Sequence, residues 1–479
     1  MPQLSPELEQ LFDQLLGQEK LLMYEQIGNK LPHHFRFNPL KGNVEEQQAF
    51  FEEQGFRFNP VEGLDNIFQV AFQPYPIGKS LSHFLGHIYV QDLASMIPPL
   101  ALQPQPNDWV LDMSAAPGSK TTQMGAMMGN TGVILANDIV AKRLRALSKN
   151  IERMSMYNTI VNQWFGEQYG NVYYEQFDKI LLDPACSGLG TLHKNPEILG
   201  WWTPKHCERL ASGQRKLMIS AIKALRPGGV LLYSTCTLTP EENEEIVQFA
   251  LDEFPMEIEA VDLPGLKTWP GLTGFQDKRF HPDMEKTIRL YPFDRVTEGF
   301  YVARLRKLES LDKSPHPSKQ MAPRHHNFLS HRISPVKKSM DYLMQHFGIP
   351  EKALKRLRFL IHGEKISFCT RDFEQFPIYG RPMQIGTNMA RTLDRVVKLN
   401  SGGTHLLGPY AKRSVVELPD LESLQKYVNR EELDLDLAHP GQHIIRYKGM
   451  TMGYGILDKG KFKSQFPKGE WPFELVNVG

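Results

Sequence analysis

Cysteine is scarce: four residues in 479, at positions 186, 207, 236 and 369, with no C-x-x-C pair. That excludes a disulfide scaffold and leaves no ligand set for a structural zinc. Long apolar runs are missing too, since no window approaches the roughly 18 consecutive apolar residues of a membrane-spanning helix. The start, MPQLSPELEQLFDQL, has no basic stretch followed by an apolar one, so no secretory signal is expected. These absences predict a cytoplasmic protein without membrane contact, and a monomer. Charge of one sign is also lacking: 55 Lys and Arg against 54 Asp and Glu leave +1. Any nucleic-acid surface must therefore be local. Neither G-x-G-x-x-G nor G-x-x-x-x-G-K-[ST] occurs, which argues against a dinucleotide site and a phosphate loop.

What is present is an ordinary globular composition, 41% hydrophobic and 23% charged, on a chain too long for a single core. The first ~100 residues mix a helix over Pro6 to Gln26 with extended segments, and RFNP at 36–39 and 57–60 reads as two similar strand ends. From Asp108 the pattern becomes a regular alternation. WVLDMS, GVILAND, NTIVNQW and DKILLDP read as strands, with SKTTQMGAMM and AKRLRALSKNIERM as helices among them. A helix over Glu208 to Leu225, a turn at Arg226–Gly229, the strand VLLYSTC, a helix from PEENEEIVQF and the strands TIRLYP and GFYVARL follow. This is a doubly wound α/β domain with a mainly parallel sheet. Its predicted span is 105–307, after an N-terminal α+β accessory domain, 1–104. A linker, 308–328, leads to a C-terminal extension, 329–479, with a helical stretch near Glu351 to Phe359 and then a β-rich part. Nine Lys or Arg face two acids between Arg304 and Lys338, and KGKFKSQFPKGEWPF near the C-terminus interleaves cations with aromatics. Either stretch fits RNA contact or a plain solvated surface.

The cofactor end of the sheet is marked by Asp112-Met113-Ser114-Ala115-Ala116-Pro117-Gly118-Ser119-Lys120, a strand-to-helix turn of small residues. Open α/β sheets bind ligands at such strand ends. Asp138 closes the next strand, where a carboxylate can accept from both ribose hydroxyls of a nucleoside, or merely cap the following helix. The turn and the acid together favour S-adenosylmethionine, a nucleoside without the phosphates that the loop is not built to cradle. Cys186 in LLDPACSGLG and Cys236 in LLYSTCTL end the fourth and fifth strands, so both emerge at this edge. One thiol alone is better read as a buried, inert core residue. Two at neighbouring strand ends, beside a nucleoside site, favour chemistry. Carbon 5 of cytosine is too weak a nucleophile to take a sulfonium methyl until a thiolate adds at carbon 6, and the adduct must later be resolved. One cysteine to attack and one to assist elimination suits that reaction, with Asp183 bonding the ring nitrogen and amine.

DMSAAPGSKT, LLDPACSGLG and LRPGGVLLYSTCTLTPEENE, in that order, resemble the RNA cytosine-C5 methyltransferases of the NOL1/NOP2/sun family. QDLASM, EGFYVARLRK and the C-terminal extension are similar to its bacterial 16S ribosomal RNA branch. The resemblance implies a Rossmann-like class I methyltransferase core and a PUA-like C-terminal module. It implies Cys236 as nucleophile, Cys186 as the cysteine of product release, Asp183 beside cytosine and cofactor, and Ser114 to Lys120 with Asp138 around S-adenosylmethionine. RNA, as 16S rRNA within the small subunit, is the implied partner. Two departures stand out. The family's Asp-Ala-Pro-Cys is here Asp183-Pro184-Ala185-Cys186, which shifts the fixed proline φ away from the thiol. The family's acid near the adenine falls at Phe165, where Asn162, Gln163 or stacking must take its part. The competing readings are a tRNA cytosine-C5 methyltransferase, an amino-group methyltransferase with an aromatic in place of Cys186, and a non-catalytic RNA-binding factor.

Overall fold

The computed structural model describes residues 4–468 except 295, 312–320, 394–395 and 438. Most of the expected linker and the last part of the basic-aromatic stretch, from 469 onward, therefore lie outside the described residues. Its centre is a sheet built from β1 (Trp109–Asp112), β2 (Val133–Asn137), β3 (Thr159–Asn162), β4 (Phe177–Leu182), β5 (Leu225–Thr235), β6 (Ile288–Leu290), β7 (Phe300–Lys307) and β8 (Gln384–Ile385). Their spatial order is β8-β3-β2-β1-β4-β5-β7-β6. From β3 to β5 the strands are parallel and almost wholly buried, as continuous aliphatic runs such as VILA and ILL require. β7 runs antiparallel to β5, and β6 antiparallel to β7. The strand order reverses between β1 and β4, and that switch point is where a ligand crevice opens.

Helices α1 (Leu93–Leu102), α2 (Ser119–Met127), α3 (Ala141–Arg153), α4 (Pro204–Ala224) and α5 (Glu244–Glu253) cover the two faces. α4 starts where Thr203 caps His206 N and Pro204 occupies the first turn. One apolar core contains Leu182, Met218, Tyr233 and Ile246; the opposite one contains Ile97, Met124, Leu144 and Leu232. A fully buried ion pair ties α5 to β6. Arg289 donates to Glu244 through Nε at 2.7 Å and Nη2 at 2.5 Å, and through Nη1 to the Leu238 carbonyl at 3.0 Å. Removing one partner leaves the other charge uncompensated in the core. Glu244→Ala is expected to cost about 3–5 kcal/mol, read as a lowered denaturation midpoint at unchanged slope.

Several sequence expectations change. Gly17, at φ 54°, divides the first helix into Pro6–Leu16 and Lys20–Gln26. The first RFNP does close a strand, His34–Phe37, but the second is itself the strand Arg57–Pro60. Arg226–Gly229 is not a turn: β5 already begins at Leu225, and these four residues bulge opposite Asp178. The helix at Glu351 stops at Lys355, and Phe359 lies buried in the strand Leu357–His362, because its β-branched and aromatic neighbours pair with Lys365–Thr370. The C-terminal extension holds two four-stranded sheets, Leu357–Leu399 and Val415–Ser464. It does not hang from the catalytic sheet as a separate body. β8 pairs antiparallel with β3, Met383 N donates to Val161 O at 2.8 Å, and Phe373, Phe376 and Ile378 join the core beside Tyr173 and Phe177. No helix among the described residues is long and apolar enough to cross a membrane.

Candidate active site

The loops that leave β1, β2, β4 and β5 enclose a cleft of about 770 Å³. Ser114, Ala115, Ala116, Pro117, Ser119, Lys120, Asp138, Asp183, Cys186 and Cys236 all line it. Of the predicted residues only Gly118 stands behind the wall. Its φ of 108° makes the turn into α2, and a Cβ there would lie 2.7 Å from Leu147 Cδ1, so the loop seats on α3 only as glycine. α3 also holds the loop from outside, since Asn150 donates to the Pro117 carbonyl at 2.9 Å and Arg143 to that of Ala116. From the N-terminal region, buried Arg36 donates to Ser119 O at 3.1 Å and Thr122 Oγ1 at 2.8 Å. Asp112 is fully buried under the loop with Thr121 on Oδ2, and burial pushes its carboxyl up to about 7.

Asp138 is 3% exposed at the foot of the cleft. Oδ1 accepts from Val140 N at 2.9 Å, which is the helix-entry role, while Oδ2 faces Arg143 Nη1 at 3.1 Å without a hydrogen bond. A buried carboxylate oxygen left with acceptor capacity, beside a loop of small residues, fits a nucleoside sugar. Neither Asn162 nor Gln163 lines the cleft. Asn162 is buried against Tyr169 OH, and Gln163 bonds the Ile139 carbonyl. Instead Ile139 and Phe165, 51% and 58% exposed, stand on the cleft lining near Asp138.

The two thiols meet. Cys186 Sγ and Cys236 Sγ are 3.3 Å apart, both half-buried. The hydrogen bond to Cys236, and then burial, push the Cys186 thiol well above its ordinary value. The exchanged Pro184-Ala185 order does not aim Cys186 away from Cys236. The loop is fixed from below by Gln214, which donates to Ala185 O at 3.0 Å and to Glu242 at 2.9 Å, while Glu242 accepts from Ser187 N at 3.0 Å. Asp183 accepts from Lys120 Nζ at 2.7 Å on one oxygen and from Ser234 Oγ at 3.0 Å on the other. Burial works to lower the Lys120 ammonium, but Asp183 outweighs it and holds the group above its usual range. Cys207 and Cys369 are buried core residues.

Two glycines lace the loops together. Gly190 N donates to Cys236 O at 3.0 Å and Gly299 N to Gly190 O at 2.9 Å, and a Cβ on Gly190 would fall 2.0 Å from the Gly299 carbonyl. This close approach brings Glu298 to the cleft. Asp92, His193 and Glu298 place ligand atoms within 4.8 Å of one another, yet Lys194 Nζ already bonds both acids, 2.6 Å from Glu298, and supplies the cation. Burial, with Asp92 nearby, pushes the Glu298 carboxyl up to about 7. Lys194, Ser234 and Gln214 carry no signal in the sequence, and Glu242 reads there only as an acid of the helix N-terminus after Pro240. Glu298 is marked in the sequence only as the first residue of EGFYVARLRK.

The family model described as 16S rRNA methyltransferase RsmB/F matches residues 99–306. A ribosomal RNA small subunit methyltransferase F of Shewanella piezotolerans is 30% identical over 442 residues, 90% of either chain. The chain belongs to the RsmB/F methyltransferase family. A tRNA (cytosine(49)-C(5))-methyltransferase of Pyrococcus abyssi is 39% identical over 273 residues, 57% of this chain and 87% of the relative. Among solved structures, a methyltransferase homologue from Pyrococcus horikoshii is 35% identical with a TM-score of 0.58, over 64% of this chain and 95% of that one. NSun6 from the same organism, solved with SFG, is 25% identical with a TM-score of 0.56, over 64% and 99%. This RsmB/F member is thus an RNA cytosine-C5 methyltransferase that uses S-adenosylmethionine.

Proposed function

We propose that this methyltransferase modifies carbon 5 of one cytosine in the 16S RNA of the small ribosomal subunit, as a monomer, through a covalent adduct with Cys236. The 3.3 Å approach of Cys186 to Cys236 on the wall of the cofactor cleft carries the reading. A pair of adjacent thiols has no part in an amino-group transfer, where an aromatic side chain would hold the base. The 16S assignment is favoured over tRNA because relatives named for the small ribosomal subunit match 90% of this chain, against 57% for the tRNA relative. On this reading residues 1–104 and the extension from 329, ending in a PUA-like module, hold RNA around the 105–307 catalytic domain.

Ser114 to Lys120 and Asp138 would hold S-adenosylmethionine, with Oδ2 of Asp138 on the ribose and Ile139 and Phe165 against the adenine face. When bound, it supplies an electrophilic sulfonium methyl for carbon 5. The rest falls to the protein. Cys236 gives its proton to solvent and its thiolate forms the bond to carbon 6, the ring electrons shift toward N3, which takes a proton from solvent, and carbon 5 becomes an enamine carbon. Asp183 accepts from the exocyclic amine and from N3–H. Once Cys236 is a thioether, Cys186 gives its proton to solvent. Its thiolate then takes the carbon 5 proton, the C–H pair restores the C5=C6 bond, the C6–S pair returns to Cys236, and N3 gives up its proton.

Bisulfite sequencing of RNA from cells with and without the gene tests the substrate. One 16S cytosine should resist conversion only when the gene is present; a gene-dependent cytosine in tRNA instead would overturn the 16S assignment. Asp138→Ala is expected to weaken cofactor binding by about 1.5–3 kcal/mol, roughly 10- to 150-fold in Kd, through loss of charge-assisted hydrogen bonds. Phe165→Ala should cost about 1–3 kcal/mol by loss of stacking. Titration calorimetry with S-adenosylhomocysteine reads both, and an unchanged Kd for either variant removes that residue from the site.

A further inference from the structure

Between the second half of α3 and the C-terminal extension runs a second groove, of about 570 Å³, well outside the catalytic cleft. Lys149 comes from the catalytic domain; Arg324, His326, His362, Lys365 and Arg381 come from beyond it. Lys149, Arg324, Lys365 and Arg381 are exposed. Unlike Arg358 close by in sequence, which pairs with Glu374 at 2.7 Å, none of these four enters an ion pair among the described residues. The single carboxylate on the lining, Glu152, is engaged with the backbone of Gly402 and faces Lys41. In a chain whose cations and acids balance at 55 to 54, four free cations against one occupied acid form a pronounced local excess. Two buried polar atoms at the same place, His326 Nε2 and Asn388 Oδ1, have no hydrogen-bond partner. The His326 imidazole is held below its ordinary value by burial and then by the charges of His362, Arg324 and His325.

The groove is rigid and points toward the active site. Its floor is β8, hydrogen-bonded to β3, so its two walls cannot drift apart without breaking the sheet. At its upper end Gly380 presses on Trp164, where a Cβ would lie 2.3 Å from Cζ2, and Trp164 is itself a wall of the catalytic cleft.

We propose that this seam is a docking track for the sugar-phosphate backbone of the substrate RNA, which the four cations hold while the target cytosine occupies the cleft. The proposal rests on the RNA reading above. Unpaired Lys and Arg around donors and acceptors without partners suit phosphate and ribose, and such contacts fix register without reading sequence. Lys149 from one domain and Arg381 from the other would then set the position of the catalytic domain on the RNA.

The test compares K149Q/R381Q and R324Q/K365Q with a control, K205Q/K216Q, exposed on α4. Binding of naked 16S RNA is measured across a salt series, together with methyl transfer and S-adenosylhomocysteine binding. Each groove variant should lower the slope of log K against log salt by about 1.4, two phosphate contacts at roughly 0.7 each, and raise the KM for RNA. The kcat at saturating RNA, cofactor affinity and the control should stay at wild-type values. Unchanged slopes in both groove variants, or an equal drop in the control, overturn the track while leaving the RNA assignment intact. Loss of binding only to protein-bearing subunits, with naked RNA unaffected, also overturns it and gives the groove to a protein. Wild-type enzyme that neither binds nor methylates RNA would instead strike down the substrate reading itself.

Discussion

Cys236→Ser is expected to lower methyl transfer by a factor on the order of 10⁴ or more, the scale seen when a nucleophile is deleted. The reason lies in the substrate. Carbon 5 of cytosine becomes nucleophilic only after a covalent bond forms at carbon 6, and a serine hydroxyl, far less acidic than a thiol, does not form that bond at neutral pH. The substitution is small and the side chain half-buried, so the fold and the cofactor site should survive, and S-adenosylhomocysteine should bind with unchanged affinity. Transfer of tritium from labelled S-adenosylmethionine into RNA gives the readout. Activity within tenfold of wild type would show that no thiol adduct is needed, and the amino-group reading would then take over.

Cys186→Ser should behave in the opposite way, retaining attack and losing release. The protein is expected to accumulate as a denaturant-resistant conjugate with RNA, approaching one RNA per chain, while turnover falls by about 10²–10⁴, the usual worth of a positioned proton acceptor. Cys236 keeps its place in this variant because Gly190 N still bonds its carbonyl and does not involve the Cys186 side chain. The conjugate should run above free protein on a denaturing gel and collapse on nuclease treatment. A C186S/C236S double variant should form none. If the single variant turns over normally with no conjugate, Cys186 has no part in release, and the close sulfur pair must be explained as packing alone.

The parallel core was legible from the sequence because buried parallel strands are written as aliphatic runs that stop abruptly at Asp112, Asp138 and Asp183, residues that belong at strand ends. The nearness of Cys186 and Cys236 followed from the same reasoning, since two strand ends on one sheet edge bring their loops together. Which thiol attacks came from resemblance, not from spacing. Other features had no local signal. Glu242 and Gln214 secure the Cys186 loop from 56 and 28 residues downstream, a relation that only the tertiary fold creates. Lys194 and Glu298 meet because two glycines let backbones touch, and a glycine in a sequence does not say what it lies against. The stretch after Glu351 misled because a short amphipathic turn runs straight into a strand, and pairing with Lys365–Thr370 decided the state of Phe359.

The pairing of β8 with β3 bears on how the protein is made. β3 is complete at residue 162, but the strand that covers it arrives more than 220 residues later. During synthesis the catalytic sheet therefore carries a bare edge on the side of the cleft lined by Trp164 and Phe165, with unpaired backbone groups open to any passing strand. A contact of such sequence separation is slow to form, and a nascent chain in this state is aggregation-prone. The extension thus acts as a built-in finisher: the enzyme's sheet is sealed only when Gln384–Ile385 has been translated.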